Sequence, residues 1–188
     1  MNSLVRGIAY CFLMLPNVLV VQAGQDLFGT SGGATALSFV LYVLVLFAVV
    51  FVHESGHVAA ALYLGWRVTI FAVFPFAYRT KTKSWEFWVS PSGDLGGMVG
   101  IITNGNAKTR RRSMLLSAAG PLANFAFAAV ALCMVYLLPV AQTIAGSIAI
   151  SSLFVGLGNL LPWKSRNGAK SDGEAIFSAL RSRKLSPT

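Results

Sequence analysis

The 188-residue chain is 55% hydrophobic and only 11% charged, with a mean hydropathy of +0.67. Ordinary soluble domains carry roughly 25% charged residues, so this composition excludes one and points to a membrane protein. A net charge of +9 would suggest nucleic acid as partner for a soluble chain, but in a membrane chain the positives must first be tested against topology.

Residues 7–22 form the first apolar run, interrupted by Pro16 and Asn17. Their length suits a membrane span. The rival is a signal peptide, with Arg6 as its charged start and Val21-Gln22-Ala23 as a weak cleavage site, but the apolar stretch is long for one. A Gly/Ser/Thr-rich link follows at 24–33. The second run, 36–64, is continuous apart from a His-Glu-His cluster and stops at Gly65, a residue suited to ending a helix. Residues 66–79 are β-branched and aromatic, too short for a span and broken by Pro75. They predict short strands at or near the membrane interface, with Trp66, Trp85 and Trp88 as anchors. Residues 80–83 read as a basic turn. The stretch 90–105, with Pro91, Asp94 and five glycines, reads as turns with one short edge strand near 96–102.

The third run, 113–138, is Ala-rich and contains Gly120, Pro121 and Asn124; such small residues let membrane helices pack closely. Pro139 marks a tight turn into the fourth run, 140–161, which ends in Asn159-Leu160-Leu161-Pro162. The tail from 163 to 188 is polar and basic, with a short amphipathic helix expected near 172–183. Cys11 and Cys133 lie in separate apolar runs and read as small membrane-embedded hydrophobes. The expected fold is an all-α polytopic membrane protein, one embedded domain over 1–188, with about four transmembrane helices and a small interfacial β element between the second and third.

Charge placement agrees with four spans. Arg6, the eight basic residues between the second and third runs, and the six in the tail account for all fifteen Lys and Arg, and all fall on one side. By the positive-inside rule both termini face the cytoplasm. Arg110–Arg112 then reads as a topology determinant rather than as a nucleic-acid patch, and no nucleic acid is expected as partner.

Both histidines of the chain lie in Phe51-Val52-His53-Glu54-Ser55-Gly56-His57-Val58. On a helix, positions i and i+4 share a face, so His53 and His57 can address one ion. Neutral imidazole is a good Zn²⁺ ligand, a catalytic zinc keeps a position open for water, and Glu54 is placed to take that water's proton. The alternative is a chance match with both histidines bonded to backbone carbonyls. Ionisable groups at mid-bilayer cost about 2.5–3.5 kcal/mol each, so three of them within five residues favour a metal site. A catalytic zinc usually has three protein ligands. No further histidine exists, Asp26 falls on the wrong side, and Glu86 and Asp94 lie in the link, which leaves Asp172 and Glu174. Asp172 is the preferred third ligand, with helix N-cap as its competing role.

His53-Glu54-Ser55-Gly56-His57 in one span, Gly120-Pro121-Leu122-Ala123-Asn124 in a later one, and Asn159-Leu160-Leu161-Pro162 followed by Asp172-Gly173 resemble the site-2 protease family of intramembrane zinc metallopeptidases. The resemblance implies one zinc held by His53, His57 and Asp172, with Glu54 as base. It further implies that Asn124 is a polar helper near the metal that stabilises the oxyanion, against a competing role in helix–helix hydrogen bonding. Asn159 would orient the Asp172 loop or line the pocket. The stretch from Gly96 and Gly97 resembles the family's glycine-rich strand, which could hold an unwound substrate by β-strand addition. Asp172 follows Asn159 by 13 positions (172 − 159), where the compact form Asn-x-x-Pro-x-x-x-x-Asp-Gly has eight. No PDZ-like insert is present.

The expected activity is zinc-dependent hydrolysis of peptide bonds in or near the transmembrane segments of a membrane-protein substrate. The lipid bilayer is its medium, a bacterial cell membrane its expected location, and a regulatory membrane partner is left open. The rivals are a non-proteolytic chaperone or receptor that keeps the fold, and a small metal transporter. A transporter would carry charged residues along several spans, and runs one, three and four contain no Asp, Glu, Lys or Arg.

Overall fold

A computed structural model describes residues 20–22, 24–25, 27–29, 31–87, 96–103, 110–138, 142–164 and 168–181. Its main elements are helix α1 (Gly32–Tyr63), strands β1 (Arg67–Val73), β2 (Phe76–Arg79), β3 (Ser84–Phe87) and β4 (Gly97–Ile102), and helices α2 (Arg110–Leu137), α3 (Gln142–Leu160) and α4 (Asp172–Arg181). Three helices are long and apolar enough to cross a membrane: Thr35–Tyr63 within α1, all of α2 and all of α3. They coincide with the second, third and fourth apolar runs. The first run lies almost wholly outside the described residues, as do Trp88, Asp94 and Pro139.

The helices are packed with their small residues inside. The buried face of α2 is Gly120, Pro121, Asn124, Ala128 and Ala131, and that of α3 is built from Ala145, Ser147, Ala149, Ser151, Ser152, Val155, Gly156 and Gly158. Bulky side chains such as Phe39, Leu44, Leu122, Leu132 and Leu153 are exposed. This inversion is what a bilayer dictates, because lipid solvates Leu and Phe while close packing between helices needs small side chains. Val45 and Val49 of α1, Val155 of α3 and Val20 form a buried apolar cluster.

Helix α1 ends as its sequence requires. Gly65 takes φ +72°, its N–H donates to Leu62 O and the Trp66 N–H donates to Ala61 O, the pairing of a Schellman cap. The chain then enters an antiparallel sheet of order β3-β2-β1-β4. β1 turns into β2 through the cis Phe74–Pro75 peptide. The sheet is held on α1 by ring contacts, Phe51 with Phe71 at 5.3 Å and Phe47 with Phe76 at 6.4 Å. Two sequence expectations need correction. β3 was not anticipated: Ser84-Trp85-Glu86-Phe87 pairs with β2 across the basic turn, helped by an Arg79–Glu86 ion pair. Trp66 is only 3% exposed and belongs to the protein core, whereas Trp85 is exposed. β4 takes the place of the expected edge strand and, among the described residues, pairs on one side only, with β1.

Candidate metal centre

His53 and His57 occupy successive turns of α1, and both face α2. That helix answers them with three residues spaced by four, hence on one face. Leu116 offers its carbonyl, which accepts from His57 Nδ1–H at 2.8 Å. Gly120 offers empty space. Asn124 offers an amide, with Nδ2 3.2 Å from His53 Nδ1. A carbonyl can only accept, so His57 carries a proton on Nδ1, which leaves Nε2 as the atom able to offer a lone pair to an ion, the usual outer-shell arrangement of a metal-binding histidine. The glycine is obligatory. A Cβ at Gly120 would stand 2.5 Å from His57 Nε2 and 2.7 Å from His53 Nε2, inside the site itself. Gly120→Val should lower metal affinity by at least about 100-fold while the helical far-UV spectrum persists; metal bound as in wild type would show that the helices can part without cost.

Asp172 arrives from the far side. Its Oδ2 lies 3.1 Å from His53 Nε2 and 3.5 Å from His57 Nε2, and the two Nε2 atoms are 3.3 Å apart. Ligand atoms on a tetrahedron with bonds of about 2.0–2.1 Å lie about 3.3–3.4 Å apart, so this triangle is the face of a zinc-sized tetrahedron. Two imidazole nitrogens and one carboxylate oxygen are also a donor set suited to zinc, and these three residues form a group able to hold a metal. Burial alone would raise the Asp172 carboxyl, but the hydrogen bonds and charges of His53 and His57 outweigh it and hold the group below its ordinary range. The carboxylate is therefore in the ionised form that a ligand needs.

The N-cap role expected as the alternative for Asp172 belongs instead to its neighbour. Ser171 Oγ accepts from the Glu174 N–H at 3.1 Å, a Ser-x-x-Glu start, which leaves Asp172 free for the histidines. Ser171 Oγ also donates to Leu161 O at 2.7 Å and accepts from the Trp163 N–H at 3.1 Å, while the Ser171 N–H donates to Trp163 O at 3.0 Å. With the Lys164–Lys170 bridge beyond it, this clasp pinches the chain into a hairpin. The hairpin absorbs the long Asn159-to-Asp172 spacing and returns the carboxylate to the end of α3. Glu174, the other candidate, faces Lys164 Nζ at 3.4 Å and Ser178 Oγ at 3.0 Å.

A cavity of about 320 Å³ opens at the triad, lined by His53, Glu54, His57, Leu116, Ser117 and Asp172, together with Asn159, Lys170 and Ser171 and with Gly97, Val99 and Ile101 of β4. Glu54 is buried and lies against Gly97, where a Cβ would come within 2.6 Å of its Oε1. Only glycine lets β4 pass so close to this carboxylate. The structure thus brings Gly97 to the cavity, but not Gly96, whose carbonyl instead accepts from the Phe74 N–H beside the β1–β2 turn. Asn159 is on the wall, with Nδ2 donating to Val155 O at 3.0 Å. Asn124 is fully buried behind His53, at the ring nitrogen remote from Asp172. Ser171, Gly120 and the Leu116 carbonyl were not singled out as site residues from sequence, although the spacing 116-120-124 carried the signal.

Comparison with curated proteins and with solved structures found no match. The family model described as Peptidase family M50 matches residues 41–146, more than half of the chain. The matched segment contains His53, Glu54, His57, Gly120 and Asn124; Asn159 and Asp172 lie beyond it and enter the site on geometry alone. The chain belongs to peptidase family M50, the site-2 protease family of membrane metallopeptidases.

Proposed function

We propose that this protein is a zinc endopeptidase that hydrolyses peptide bonds in or near the transmembrane segments of membrane-protein substrates. The observation that carries the reading is the 3.1–3.5 Å triangle of His53 Nε2, His57 Nε2 and Asp172 Oδ2 beside Glu54. His53, His57 and Asp172 would hold the zinc, which supplies Lewis acidity and an acidified water at neutral pH. Glu54 takes the proton of the attacking water and delivers it to the leaving amine. The Leu116 carbonyl keeps His57 in its ligand tautomer, and Ser171 keeps the Asp172 carboxylate uncapped and directed inward. β4 guides the substrate: among the described residues it is the edge strand of the sheet, running along the cavity wall with Gly97 against Glu54. A segment added to this edge would pass its backbone over the base. A helix must unwind first, because its amides are occupied in intrahelical bonds. Residues 7–22 complete the reading as a fourth span, with both termini cytoplasmic.

The test is hydrolysis of a transmembrane-segment peptide by detergent-purified protein, before and after removal of zinc with a chelator. We expect activity to vanish with the metal and to return with about one equivalent of zinc per chain. Hydrolysis that survives verified removal of the metal would reject the zinc mechanism. A folded, zinc-loaded protein inert toward every membrane peptide would favour the chaperone or receptor reading.

A further inference from the structure

The two histidines meet different partners on α2, and the difference has a chemical consequence. His57 Nδ1 faces a carbonyl, which only accepts. His53 Nδ1 faces a carboxamide, which can do either. As placed, Asn124 Nδ2 donates to His53 Nδ1 at 3.2 Å, so the imidazole proton sits on Nε2, where it donates to Asp172 Oδ2 at 3.1 Å. Asn124 Oδ1 is meanwhile buried and has no hydrogen-bond partner among the described residues. This arrangement is incompatible with His53 Nε2 serving as a metal ligand. A ligand Nε2 needs its lone pair, so the proton must move to Nδ1, and Nδ1–H would then face the Nδ2–H₂ donors at 3.2 Å.

A half-turn of the carboxamide removes the conflict by placing Oδ1 at Nδ1–H. Which amide atom can pair with the ring is then set by which ring nitrogen carries the proton. We propose that Asn124 is the positioning residue for His53: its Oδ1 accepts from Nδ1–H and holds His53 in the metal-binding tautomer. One N–H bond is lost at Nε2 and one is formed at Nδ1, so the ring's proton count is unchanged, with water as the exchange partner. The inference rests on the zinc reading above, but it assigns Asn124 to the ligand rather than to the oxyanion.

Zinc affinity of the full chain in detergent, by competition with a chromophoric chelator, tests it on wild type, Asn124→Asp and Asn124→Leu. Aspartate keeps the acceptor and removes the donor; leucine removes both. We expect N124D to stay within a few-fold of wild type or bind tighter, and N124L to weaken by about 10–100-fold. Loss of zinc by folded N124D would overturn the proposal, and that variant is isosteric, so the test stands even if N124L does not fold. Zinc bound equally by all three would overturn it as well. Because the chain has only two histidines, ¹⁵N-histidine labelling adds a direct readout. Zinc-loaded wild type and N124D should show both rings protonated at Nδ1, and a His53 ring protonated at Nε2 in the loaded protein would overturn the assignment. A wild type that takes up no zinc at all would instead fail the zinc reading itself, and this inference with it.

Discussion

Glu54→Gln should leave zinc in place and lower peptide hydrolysis by about 10²–10⁴-fold, the range that a positioned general base supplies. The separation of the two effects is what the structure makes sharp. Glu54 is outside the triangle of ligand atoms, and its side chain lies against the Gly97 backbone. Glutamine keeps the volume that packs there and loses only the ability to take a proton. Zinc content by elemental analysis and hydrolysis on the same preparation decide the matter. A variant that loses zinc would make Glu54 part of the metal's support, and one that still cleaves would remove it from the base role.

Asp172→Ala is expected to cost zinc affinity more than an outer-shell change does, at least about 100-fold, and hydrolysis with it. It removes one corner of the triangle and leaves two imidazoles facing a gap. Glu174→Gln is the matched control, because Glu174 serves Lys164, Ser178 and the start of α4 and not the ion. Zinc lost in D172A and kept in E174Q would establish the carboxylate on which the family match is silent, since that match ends at residue 146. Zinc kept in both would require another third ligand.

The contrast between these two acids shows how far local pattern reaches. By elimination the sequence reduced the third ligand to Asp172 or Glu174, and both lie in the first turn of one helix. What separates them is the cap: Ser171, whose Oγ makes three hydrogen bonds, to Leu161, Trp163 and Glu174, sets the helix phase that turns Asp172 to the histidines. A capping box is a sequence pattern, but its orientation in space is not. The sheet shows the same limit. β1, β2 and β4 were legible from β-branched and glycine-rich stretches, whereas the four residues of β3 carry too little period to stand apart from the turn that precedes them.

What this chain's sequence determined by itself is therefore whatever depends on neighbours within a turn or two. That covers three of its helices and their apolar lengths, the glycine cap after α1, and the shared face of His53 and His57. Such features follow from a 1.5 Å rise, a 3.6-residue period and the cost of polar groups in lipid. The tertiary structure alone decided what faces those histidines: the empty space at Gly120, the Leu116 carbonyl, the Asn124 amide, and a carboxylate 119 positions from His53. Contacts between segments depend on helix rotation and on the path of a hairpin, and packing of whole surfaces sets both.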